Sequence, residues 1–142
     1  MFTCNSANFE SRAHYELFEE KIAQLQPDCY LKSLIYTLGI CHETREHWHT
    51  LYDEARREIN PDAIRSSWQT SGSIRVTRLA FHLFTNSMPT VNSCDKQNRQ
   101  IRDCAECEGY SIVELFCDGQ APYFIEAIKL RFPSSFRDSH RH

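Results

Sequence analysis

Apolar residues recur along this chain with the spacing of helix faces, and no segment shows four to eight residues of clean strand-like alternation. From Ser11, positions His14, Leu17, Phe18, Ile22 and Leu25 share one face, and Pro27 closes the segment. Asp28 is placed to cap a second helix, CYLKSLIYTL, whose apolar residues nearly encircle it, as expected of a central element; Gly39 suits a left-handed position just past its end. Residues 42–59 read as one further helix, with Trp48, Leu51, Tyr52, Ala55 and Ile59 at offsets of 0, 3, 4, 7 and 11. Asn60 before Pro61 starts a short helix running to about Trp68. After the polar QTSGS loop, Ser73 is the expected cap of a helix that turns Val76, Leu79, Ala80, Leu83 and Phe84 inward, with Arg75, Arg78 and His82 on a different face.

Residues 87–109 have little periodicity and read as a mobile polar loop. Ser111 with Glu114 forms a capping-box pattern ahead of Val113, Leu115 and Phe116. Pro122 opens a last helix through about Leu130, with Phe124, Ala127 and Ile128 inward. These signals predict an all-α fold: a compact single domain over residues 1–142 with six or seven helices, a core over about residues 11–133, one long polar loop at about 87–109 and a frayed tail at 134–142.

Composition narrows the function classes. A length of 142 residues suits one domain with a real core. The formal net charge of -3 supplies no global field toward nucleic acid or an anionic membrane. The arginines are dispersed and no helix carries a basic stripe, so direct nucleic-acid binding is not expected. MFTCNSANFESR has neither a basic leader region nor an apolar run, and no stretch reaches membrane-span length, which predicts a cytoplasmic protein without a membrane partner. Seven cysteines, an odd number, fit free thiols or a metal site better than a disulfide framework.

Residues 68–81, WQTSGSIRVTRLAF, are the most informative stretch. Arginines in the first turns of a helix meet the positive end of its dipole, which costs a few tenths of a kcal/mol each unless an anion lies nearby. That anion is either a carboxylate such as Asp53 or Glu54 or an external phosphate held by Trp68, Thr70, Ser71, Ser73, Arg75 and Arg78. A lone Gly72 falls short of a Walker loop, and a serine nucleophile at Ser71 or Ser73 lacks the elbow motif and its strand. Cys94, Cys104, Cys107 and Cys117 are the candidate ligands of a structural zinc that would tie down the long loop, against the simpler reading of free thiols; no other cofactor is implied. In the CHETREHWH cluster of Cys41, His42, His47 and His49, His42 and His47 are five apart rather than the four that a zincin helix needs; His42 and His49 share a face but lack a third ligand, so the histidines read as solvated or hydrogen-bonded surface groups.

Three stretches, TREHWHTLYDEARREINPDAI, WQTSGSIRVTRLAFHLF and YSIVELFCDGQAPYFIEAIKLRFP, together resemble a family of small uncharacterised bacterial proteins known only as a domain of unknown function, associated with Gram-positive gut bacteria, their phages and their conjugative elements. The resemblance spans residues 11–133 and transfers no catalytic residue; Asp118 stands where the family pattern has a second cysteine. It implies a mobile-element setting. The expectation is a non-enzymatic protein-binding module, an inhibitor of a host or antiviral-defence enzyme, whose partner is another protein. The alternative is a small-ligand module that takes a phosphate-bearing or nucleotide molecule at residues 68–78. Trp48, Trp68, Tyr123 and Phe124 are core candidates, and any one of them would also serve as the anchor of a homo-oligomer.

Overall fold

In the computed structural model, residues 2–4, 7–90, 93–94, 100–101 and 107–136 are described, with side chains over 8–90 and 107–136. Helix α1 (Arg12–Leu25) is capped by Ser11, whose hydroxyl accepts from the His14 N–H, and α2 (Cys29–Leu38) by Asp28, whose carboxylate accepts from the Leu31 N–H. The Asp28 cap falls where the sequence placed it, and the first helix begins just past Ser11, where its apolar pattern starts. Helix α2 is the central element: Ser33, Leu34, Ile35, Tyr36, Thr37 and Leu38 are all buried, with α5 (Ser71–Thr85) and α7 (Ala121–Arg131) packed on it. The mainly helical single domain expected from the periodicity is the observed architecture. Among the described residues no helix is long and apolar enough to cross a membrane.

Gly39 is not left-handed, as its place after α2 suggested; its φ is -79°. A close approach explains the glycine instead, since a Cβ there would lie 2.7 Å from Cδ2 of His14. That ring is wholly buried, accepts at Nδ1 from the Glu10 N–H (3.0 Å) and donates from Nε2 to the Tyr36 carbonyl (2.7 Å). Burial lowers its pKa to about 4, against the pull of the Tyr36 carbonyl. The hairpin β1 (Phe2–Cys4) to β2 (Ala7–Phe9), which the sequence did not announce, sets Phe9 among His14, Tyr15, Phe18 and Tyr36.

The single helix expected over residues 42–59 is broken. It consists of α3 (His42–Glu46), α4 (Trp48–Leu51) and an antiparallel hairpin, β3 (Tyr52–Asp53) with β4 (Glu58–Ile59). One Asp53 carboxylate oxygen accepts from the Ala55 and Arg56 N–H groups, and Arg57 takes a left-handed φ of 58°. This turn chemistry outcompetes helix continuation. Tyr52 and Ile59, spaced as if two helical turns apart, face each other across the ladder, while Ala55 is exposed.

Pro61 opens a 3-10 helix (Pro61–Arg65) that stops short of Trp68, and Asn60 forms no side-chain cap. Helix α6 (Ile112–Leu115) has its Ser111 cap but is only one turn long. Helix α7 follows the expected pattern, with Phe124 and Ala127 buried. Within the expected loop, Ser93–Cys94 pairs with Gln100–Ile101; residues 91–92, 95–99 and 102–106 lie outside the described residues, as does the tail beyond a 3-10 turn, Pro133–Phe136.

Candidate functional site

The start of α5 is one residue pattern read two ways, and the structure places the cap earlier than expected. Thr70 is the N-cap; Ser71, Gly72 and Ser73 form the first turn rather than a loop. Thr70 and Ser73 make a reciprocal capping box: the Ser73 N–H donates to Thr70 Oγ1 (3.0 Å) and the Thr70 N–H to Ser73 Oγ (2.7 Å). Ser73 is buried and also donates to Gln69 Oε1 (2.5 Å). Gln69 Nε2 in turn donates to the Ala63 carbonyl and to Thr77 Oγ1, both at 3.1 Å. Two amides that a phosphate would need are therefore turned to internal partners or flank this network.

Trp68 stacks on His47, with ring centroids 3.9 Å apart and 2° between planes, and His47 is held by donating Nδ1–H to the Glu43 carbonyl (2.9 Å). One face of the expected stacking surface is thus occupied by the chain itself.

The anion for Arg75 comes from neither Asp53 nor Glu54. Its guanidinium pairs with Asp118 (3.3 Å) and donates to the carbonyls of Glu114 (3.0 Å) and Ser71 (3.3 Å). Asp53 and Glu54 are engaged elsewhere, Glu54 with Lys21 at 2.7 Å and with the Trp48 indole N–H at 2.6 Å. Those two hydrogen bonds hold the Glu54 carboxyl below its usual range. Asp118 was unreachable by local reasoning because it lies 43 residues away.

Arg78 faces the Tyr110 ring at 6.0 Å and packs on Gly109, where any Cβ would collide with the guanidinium. Its Nε is sealed from solvent without a hydrogen-bond partner among the described residues, and so is Oε1 of Gln120, which lies beside Gly72. From Gly109 to Gln120 the chain therefore runs back along the arginine face of α5, clasped by Arg78 at one end and Arg75 near the other.

On the outer side of this strap, Ile112 and Val113 are 76% and 80% exposed, while Leu115 is buried beneath them. Of the proposed zinc ligands, Cys104 lies outside the described residues and the side chain of Cys94 is not described; Cys107 is half-buried and Cys117 exposed. In the histidine-rich segment, His42 lies 3.8 Å from Glu46, His47 is stacked, and Cys41 contacts Thr44. Among the described residues no three histidine, cysteine or acidic side chains gather around a metal-sized space.

Comparison with known proteins places the chain by family alone. No curated protein and no solved structure matches it. The chain belongs to DUF6075, a family of unknown function, whose model matches residues 4–142.

Proposed function

We propose that this chain is a non-enzymatic protein-binding module of a mobile genetic element, acting as an inhibitor of a host or antiviral-defence enzyme. One observation carries the binding reading: Ile112 and Val113 are adjacent, branched and open to water on a helix fixed from below. Ser111 caps that helix, Leu115 anchors it in the core, and Arg75 holds its Glu114 carbonyl. β-Branched side chains on a fixed backbone lose little freedom on docking, and each gains about 2 kcal/mol when buried by a partner. Exposed Glu114 on the same turn favours a partner whose apolar contact has a basic border. The mobile-element setting rests on the family resemblance.

A photo-crosslinking residue in place of Val113, used in the native host, is expected to capture one predominant protein. The Ile112→Asp change in that background should abolish capture while leaving the melting curve unchanged. Equal capture by the folded Ile112→Asp protein would sink the reading.

The alternative, a phosphate or nucleotide ligand at Trp68, Thr70, Ser71, Ser73, Arg75 and Arg78, keeps one observation in its favour: the Nε of Arg78 has no hydrogen-bond partner among the described residues. Ser73, Arg75 and one face of Trp68 already have internal partners. Native mass spectrometry of untagged protein discriminates, since a retained phosphate compound lost on Arg78→Ala would favour the ligand and a bare mass would favour the protein partner.

A further inference from the structure

A second polar region lies apart from residues 68–78. A cleft of about 420 Å³ opens between the α1–α2 turn, the β3–β4 hairpin and the C-terminal end of α5. Its apolar lining comes from Leu25, Pro27, Leu31 and Phe84, and Tyr52 closes it against the core. Tyr52 is 2% exposed, yet no described residue forms a hydrogen bond with its hydroxyl. Burial raises the pKa of that hydroxyl, and the charges acting on it are those of Arg57, Glu54, Asp28 and Asp53, the first three of them lining the cleft. The ring is buried but the hydroxyl is not among the sealed polar atoms, so its open side is the cleft that Tyr52 lines.

Around Tyr52 the unengaged groups are mostly acceptors. Asp28 uses one carboxylate oxygen to cap α2 and leaves the other free. Glu54 receives both Lys21 and Trp48 on Oε2, leaving Oε1 without a hydrogen bond among the described residues. Helix α1 points its C-terminal end here with no basic residue in its last turn, so its partial negative charge is uncompensated. Arg57 is the sole basic residue among the lining residues, and it sits exposed on the hairpin turn, free to swing into water.

We propose that this cleft binds a primary ammonium group carried on an apolar stem, with Asp28 and Glu54 Oε1 receiving the ammonium, Tyr52 completing its hydrogen bonds and the stem lying against Leu31 and Phe84. Two sources share that chemistry: a free alkylamine, and a lysine side chain of a partner protein. A carboxylate-bearing or phosphate-bearing ligand is disfavoured, because it would meet two carboxylates and a helix C-terminus.

The test is an amide-resolved NMR titration of the full chain with pentylamine, with N-acetyl-lysine methylamide and with pentanol as the uncharged isostere. Saturable shifts confined to the amides of residues 25–31 and 52–58, given by the amines and not by pentanol, are the expected result. Tighter binding of the lysine amide assigns a partner's side chain as the natural occupant, and tighter binding of pentylamine assigns a free amine. Asp28→Asn keeps a good helix cap and should weaken amine binding about tenfold, whereas Arg57→Gly, which suits the left-handed turn, should tighten it. Tyr52→Phe retains the ring and should weaken binding severalfold. No saturable shifts with folded wild-type protein, or equal shifts with pentanol, would overturn the proposal. Because Ile112 and Val113 line no part of this cleft, Ile112→Asp should leave the titration unchanged, which separates this inference from the protein-binding reading.

Discussion

The corner around the start of α5 and the cleft beside Tyr52 both collect polar groups near the core, but they differ in access. At the corner, Gln69, Thr70, Ser73 and Arg75 satisfy one another or nearby carbonyls, and the two atoms left over, Arg78 Nε and Gln120 Oε1, are sealed from water. At the cleft, the hydroxyl of Tyr52 and the spare oxygens of Asp28 and Glu54 line an open space. A sealed orphan costs about 1 to 3 kcal/mol, whereas a polar group that water reaches costs little. Partner count alone therefore does not identify a binding site. At the corner most of the polar groups have internal partners, whereas those at the cleft face open space.

His14 gives the upper end of the scale, a group fully satisfied in only one protonation state. Its folded-state pKa is lowered from 6.5 to about 4, so between those values the unfolded chain binds more protons than the folded one. The stability is present above pH 6.5, falls as pH drops through that window and is fully lost below the folded pKa. The loss is on the order of 3 kcal/mol. Its measure is the titration of the His14 ring proton by NMR beside denaturant melts at neutral and acid pH; a ring that titrates near 6.5 would remove the effect.

Ser73→Ala comes next and acts on the corner alone. It removes the acceptor of the Thr70 N–H and the donor to Gln69 Oε1, both in a buried network, and should cost about 2 kcal/mol in urea unfolding. A loss within error of zero would mean that water satisfies those groups and that the corner is open after all. In the opposite direction, Gln120→Met replaces a sealed orphan acceptor by an apolar side chain of similar length and should stabilise by about 1 kcal/mol. Destabilisation by Gln120→Met would show that the amide has an unseen partner there, which would revive the ligand reading for the corner.

The sequence carried the corner's composition but not its wiring. A cap such as Asp28 is legible because the donor it satisfies, the Leu31 N–H, lies three residues away. Arg75 was flagged correctly as needing an anion, yet the choice of Asp118 over Asp53 or Glu54 depends on how the 109–120 strap folds back, which no local pattern encodes. The cleft was invisible for a related reason. Its principal residue, Tyr52, fits one position on a helical stripe, because Trp48, Leu51, Tyr52, Ala55 and Ile59 fall at offsets of 0, 3, 4, 7 and 11. The Asp53 turn and the left-handed Arg57 convert that stripe into a hairpin and leave Tyr52 at the cleft floor. Strands of two or three residues are too short for alternation to show.

The smallest expected effect sharpens the comparison most. Tyr52→Phe deletes a hydroxyl carried on a buried ring, and the usual consequence of losing a buried, hydrogen-bonded hydroxyl is a destabilisation of about 1 kcal/mol. Here the hydroxyl has no partner among the described residues and water reaches the cleft, so the ring packing on Trp48 and Phe84 survives intact. The variant should unfold within about 0.5 kcal/mol of the wild type, on either side. Denaturant unfolding of the two proteins side by side measures this. A loss well beyond that margin would mean that Tyr52 is bonded within the fold, and its hydroxyl would then be no more available than those of Thr70 and Ser73. A match to the wild type, set against the cost of Ser73→Ala, would establish that the two polar regions differ in kind: one holds the fold together, and the other leaves its hydrogen-bonding groups free for something else.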